Sequence, residues 1–170
     1  REEALAGGRR EAALSAFQRA ATIAPDDAAA RTGLARARVL GQVLAAIDRG
    51  ALAEQEGDLD EARRQYRTAR DLDPTDPLNH LGLAWAWAVA DQRDSALAVM
   101  AGVPEEGALL KEIAIVYGEL GELDTAYDYL YRAADVDPGS IGTLRTDHSA
   151  DPLKEDPRYP ELLGRVGLEE

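Results

Sequence analysis

Gly57-Asp58-Leu59-Asp60-Glu61-Ala62-Arg63-Arg64-Gln65-Tyr66-Arg67-Thr68-Ala69-Arg70-Asp71-Leu72-Asp73-Pro74 is the stretch that decides the fold. Its Gly57, Ala62, Tyr66, Ala69 and Pro74 recur upstream, at the same spacing, as Gly8, Ala13, Phe17, Ala20 and Pro25, and downstream as Gly121, Ala126, Leu130, Ala133 and Pro138. A weaker copy, Asp91, Ala96, Met100 and Val103, lies between. Recurrence of small, bulky and proline positions marks stacked supersecondary units.

Each position has a physical reason. The Gly or Asp at Gly8, Gly57, Asp91 and Gly121 closes one helix, where a residue free to take positive φ is favoured. The small Ala62, Ala96 and Ala126 let the two helices of a hairpin approach closely, and Tyr66, one turn on, fills the space between neighbouring hairpins. Pro25, Pro74 and Pro138 stop one helix and start the next.

The pattern resembles the tetratricopeptide repeat, over essentially residues 1 to 138. The resemblance implies an all-α, right-handed solenoid of antiparallel helix pairs whose first helices form a concave face. The expected division is an array of about three and a half repeats over 1–138 and a C-terminal capping tail over 139–170. In the tail, Leu153, Tyr159, Leu162, Leu163, Val166 and Leu168 are placed to cover the last pair. Residues 151 to 168 also resemble a "DPLRxDPRFxxLLxRxGL" ending of bacterial tetratricopeptide modules, with Lys154 and Tyr159 in place of the usual Arg and Phe.

The spacing departs from the repeat once. Pro74, Pro104 and Pro138 are 30 and 34 residues apart, whereas Pro25 and Pro74 are 49 apart. An insertion of ~15 residues is close to four helical turns, so the apolar face stays in phase and the simplest expectation is one long helix near 27–56. Gly33, Gly41 and Gly50 weaken it, and a break near Gly41 is the alternative. The second helix of the third pair is expected to end early, at Gly102-Val103-Pro104.

Composition bounds the function. The 170 residues are 45% hydrophobic but only 5% aromatic, a closely packing, helix-forming mixture. A net charge of −13 disfavours phosphate backbones and anionic lipid surfaces, and no run of about 18 apolar residues occurs, so neither nucleic acid nor membrane insertion is expected. There is no cysteine, which excludes disulfides and thiolate metal sites. The chain opens at Arg1 inside an apparent helix, as a trimmed or processed piece would, so a signal or anchor could precede it.

No constellation points to catalysis, a metal or a cofactor. Asp147-His148-Ser149 has the residues of a hydrolase triad, but neighbours in a loop point in different directions and read as solvated. Asp71, Asp73, Thr75 and Asp76 lack the Gly and Glu of a calcium loop and read as a turn with Asp caps. His80 and His148 are isolated. Glu54, Glu56, Asp58, Asp60 and Glu61 read as a solvated helix end followed by a helix start. Tyr127, Tyr129 and Tyr131 cannot share one helix face, so at least one is expected to be exposed.

What remains is a binding surface. The family register implies a concave face carrying Ile47, Ala51, Leu81, Trp85, Ala88, Ala108, Lys111 and Ile115. Of these, Ile47, Ala51, Leu81, Trp85, Ala88, Lys111 and Ile115 are the candidate partner-binding residues. Trp85 is either an aromatic anchor for a bound peptide or helix, or core packing against Ala51 and Ala53. Lys111 alone has the chemistry of a clamp for acidic tails. The expected function is a non-catalytic interaction or scaffold module, with an apolar groove and an acidic rim suited to a segment with basic flanks. The alternatives are a permanent subunit of a larger assembly, or a regulatory appendage of a bacterial kinase, cyclase or transcription regulator.

Overall fold

The computed structural model describes residues 15–168, apart from 17 and 21. Gly8, Ala13 and Phe17 of the first copy lie outside the described residues. Nine α-helices follow from Ala28, among the described residues without a strand: α1 (Ala28–Gln55), α2 (Leu59–Leu72), α3 (Pro77–Val89), α4 (Arg93–Met100), α5 (Leu109–Glu119), α6 (Leu123–Val136), α7 (Pro138–Thr143), α8 (Asp151–Lys154) and α9 (Arg158–Arg165), with a 3-10 turn at His148–Ala150 before α8. Chain neighbours pack against one another from α1 to α4 and from α5 to α7, and α3 also packs on α5, so the first helices of the second and third pairs touch directly.

The hairpin turns explain the recurring Gly and Asp. Gly57, Asp91 and Gly121 have φ of 79°, 56° and 75°. At each, the next residue's N–H reaches back five residues: Asp58 to the Ala53 carbonyl at 2.8 Å, Gln92 to Trp87 at 2.9 Å, Glu122 to Tyr117 at 2.9 Å. This is the helix-ending motif in which a left-handed residue satisfies carbonyls that the helix leaves open. Asp91 has a side chain where glycine has none, and pays strain for it. Asp91→Gly is expected to raise stability by about 0.5–1 kcal/mol, read as a higher denaturation midpoint at unchanged slope.

Helix starts are capped where the sequence supplies Asp. The carboxylates of Asp27, Asp58 and Asp76 accept from Ala29, Glu61 and Leu78 N–H groups at 2.7, 3.0 and 2.9 Å, and Pro77 and Pro138 occupy first turns. α1 is a single helix of 28 residues that runs through Gly33, Gly41 and Gly50. α4 has only 8 residues against 14 in α2 and α6, because Gly102-Val103-Pro104 turns the chain away.

The core is a string of linked apolar clusters, as expected when each pair buries its face against the next. Ala53, Ala62, Tyr66, Leu83 and Ala86 join α1, α2 and α3. Leu81, Ala84, Ala88, Ala96, Met100, Ile113 and Val116 join α3, α4 and α5. The last cluster joins α5 and α6 to Ile141, Leu144, Ala150, Leu153 and Leu162, all with no exposed area, with Tyr159, Leu163 and Val166 packed around them. Tyr127 ties this end together by donating its buried hydroxyl to the Leu153 carbonyl at 2.8 Å.

The tyrosine expectation is corrected here. None of the three is fully exposed. Tyr127 is buried, Tyr129 stacks on Tyr117 at 5.6 Å with Arg132 over its ring, and Tyr131 lies beneath Arg165. Arginine stems and guanidinium groups cover the rings that the helix turns outward.

Candidate functional site

One face of each first helix borders a common cavity of about 510 Å³. On α1, Ile47, Ala51 and Glu54 fall at helical spacing. On α3, Leu78, Leu81 and Trp85 do the same, with Gly82 beside them. On α5 the wall is Glu112, Ile115 and Val116. Tyr66 reaches in from α2. The end is closed by Thr146, Asp147, His148 and Ser149, from the segment that leads into and forms the 3-10 turn.

Five of the seven candidates therefore share this cavity: Ile47, Ala51, Leu81, Trp85 and Ile115. The other two do not border it. Ala88 is buried in the cluster between α3, α4 and α5. Lys111 is turned aside, its ammonium donating to Thr143 Oγ1 at 3.0 Å and pairing with Glu112 at 2.8 Å.

Trp85 is both wall and core. It packs against all three of the large clusters while bordering the cavity. Its Nε1–H is buried and has no acceptor among the described residues. Trp87, two residues on, points to another side, where Arg63 and Arg67 lie over its ring at 5.1 and 5.6 Å. Trp85→Phe removes an unpaired donor and keeps most of the ring, so its expected cost is under about 1.5 kcal/mol. Trp85→Ala is expected to cost about 3–5 kcal/mol in a denaturant titration.

Glu54 departs from the solvated helix end expected of it. It is half-buried on the cavity wall and accepts from the Tyr66 hydroxyl at 3.0 Å. Burial pushes its carboxyl above the usual carboxylate range; the Tyr66 hydrogen bond opposes this, and the negative Asp147 and Glu119 add to it. Glu119 on the same helix as Glu112 is likewise raised by burial, with Asp151 contributing.

Asp147-His148-Ser149 does not form a relay. Asp147 Oδ1 accepts from the Ser149 N–H at 3.0 Å and the Ser149 hydroxyl at 2.5 Å, so serine and aspartate bond directly while His148 stands in solvent. That arrangement caps the 3-10 turn. Sequence reasoning missed that this segment walls the cavity. The available signal was Ile141, Leu144 and Ala150, apolar residues spaced to anchor it on α5 and α6.

Three first helices presenting one face to a shared cavity, with left-handed turns closing each pair, is the geometry of a helical repeat array. Residues 53–114 match the family model described as tetratricopeptide repeat. Over these residues the chain is similar to tetratricopeptide repeat proteins. The matched stretch runs from the end of α1, through α2, α3 and α4, into α5. It contains Tyr66, Leu81, Trp85 and Glu112 of the cavity wall, while the end wall from Thr146 to Ser149 lies beyond it. No curated protein and no solved structure matches the chain. Tetratricopeptide repeats generally mediate interaction between proteins, and repeats of this family are typically non-catalytic. Among the described residues no helix is long and apolar enough to cross a membrane, and no cluster of three or more His, Asp or Glu could hold a metal ion.

Proposed function

We propose that this chain is an interaction module that docks a segment of another protein in the cavity between α1, α3 and α5. The observation that carries this is the convergence of Ile47, Leu81, Trp85 and Ile115 on one opening of about 510 Å³, within the usual range of binding cavities. These side chains come from three helices held by a packed core, so the site is formed before a partner arrives and little ordering cost is left to binding. A peptide or helix placing two or three apolar side chains there would bury them against Trp85, the residue type most often found at the energetic centre of such contacts. The family's general use of its repeats for protein interaction supports the same reading.

The test uses the two tryptophans. With Trp87→Phe as background, Trp85 is the sole indole emitter in the chain. Peptides of sixteen residues selected from a random display library on this protein are expected to shift or quench that emission on binding. Recovered peptides that bind without changing Trp85 emission, or no recovery at all, would contradict docking in this cavity.

A further inference from the structure

The cavity has an uneven charge. Carboxylates reach it from three separate parts of the chain: Glu54 from α1, Glu112 from α5 and Asp147 from the end wall. Among the described residues none that lines it is Lys or Arg, although the protein has 19 of them. Two lysines close in sequence or by hydrogen bond to its wall are engaged with other groups. Lys111 bonds Thr143 and Glu112, and Lys154 donates to the Asp147 carbonyl oxygen and to Asp151, both at 2.7 Å. His148 borders the opening but turns its ring to solvent.

Leu81, Trp85 and Ile115 line the same cavity, so the acidic groups share it with apolar side chains and an indole. We infer that the occupant is a basic amphipathic segment of another protein, with one Lys or Arg head held among Glu54, Glu112 and Asp147 and its neighbouring apolar side chains on Leu81, Trp85 and Ile115. This rests on the cavity being the docking surface.

Two physical arguments converge on that chemistry. A long basic side chain has an apolar stem and a charged tip, so it can cover an indole and reach a carboxylate at once. An acidic partner is disfavoured, because the cavity carboxylates and the net charge of −13 both repel it. The burial that raises the Glu54 carboxyl points the same way. A carboxylate held in a partly desolvated wall beside other carboxylates weakens the free protein, and a bound cation relieves it.

The test takes the peptides selected above and reads two things. Their sequences are expected to be enriched in Lys or Arg next to Leu, Ile, Val or aromatic residues. Glu54→Gln combined with Glu112→Gln is expected to weaken the best peptide about tenfold in 50 mM salt, with the gap closing as salt is raised. Both substitutions keep side-chain shape. The Glu54→Gln protein is expected to melt no lower than wild type, because the raised carboxyl costs stability while ionised at neutral pH. That separates lost binding from lost folding. Peptides that shift Trp85 emission but are neutral or acidic, or that bind the double variant as tightly, would overturn the charge inference and leave docking in the cavity standing. Peptides that leave Trp85 emission unchanged would instead remove the docking surface itself.

Discussion

Leu153→Ala is expected to lower the stability of this protein by about 3 kcal/mol, from a site that belongs to none of the repeating positions. Leu153 has no exposed area and sits where α8 meets α5 and α6. Its Cδ2 approaches Gly118 so closely that a Cβ added there would lie 2.6 Å away, with Cγ at 2.8 Å. Gly118→Ala should therefore destabilise, by roughly 1–3 kcal/mol, although alanine is the better helix former. Combining the two substitutions supplies the decisive comparison. The alanine methyl enters the space that Leu153 vacates, so the double variant is expected to be more stable than the sum of the single losses allows. Additive losses in a denaturant titration would show that the C-terminal residues do not pack on α5 in solution. Tyr127→Phe, which removes the hydroxyl bonded to the Leu153 carbonyl, attacks the same contact more gently.

The second large effect concerns two glycines of one helix. A Cβ at Gly50 would lie 2.8 Å from Cε1 and 3.0 Å from Cζ of Tyr66, in the middle of a rigid, buried ring. A Cβ at Gly41 would meet nothing within 4 Å among the described residues. The same substitution therefore has opposite signs nine residues apart. Gly41→Ala is expected to stabilise by about 1 kcal/mol through helix propensity alone. Gly50→Ala is expected to cost about 2–3 kcal/mol, because α2 must move away from α1 or the Tyr66 ring must leave its rotamer. Tyr66 also borders the cavity beside Gly82 of α3 and bonds Glu54, so any shift of the ring propagates to the cavity wall. Equal melting temperatures for the two alanine variants would contradict the close packing of α1 on α2.

These contacts show which parts of the molecule are legible in the sequence. Gly57, Asp91 and Gly121 disclose the hairpin ends because a left-handed backbone restricts residue choice locally, whatever the rest of the chain does. Ala62, Ala96 and Ala126 disclose the close helix contacts for the same kind of reason, and all three are fully buried. The cavity is half legible. Ile47, Ala51, Leu81, Trp85 and Ile115 follow from helix register, which repeats from pair to pair.

Its charged part does not follow from register. Glu54 looks like any acid near a helix end until the Tyr66 ring and the end wall surround it, and both arrive from elsewhere in the chain. Asp147 looks like a loop residue until Ile141, Leu144 and Ala150 pin its segment against α5 and α6. Lys111 errs in the other direction: register points it toward the concave side, but Thr143 and Glu112 draw its ammonium away. Long side chains choose among partners that the spacing of their own helix does not reveal.

The most direct test of docking in the cavity exploits the absence of cysteine from the chain. Ala51→Cys places a single thiol on the cavity wall, and Asp128→Cys places one on the exposed face of α6 as a control. Rates of modification by a small maleimide would be measured with and without a saturating selected peptide. Slowing of about tenfold or more at position 51, with no change at position 128, is the result expected if the groove between α1, α3 and α5 holds the partner. Equal rates at position 51 with and without peptide would contradict it.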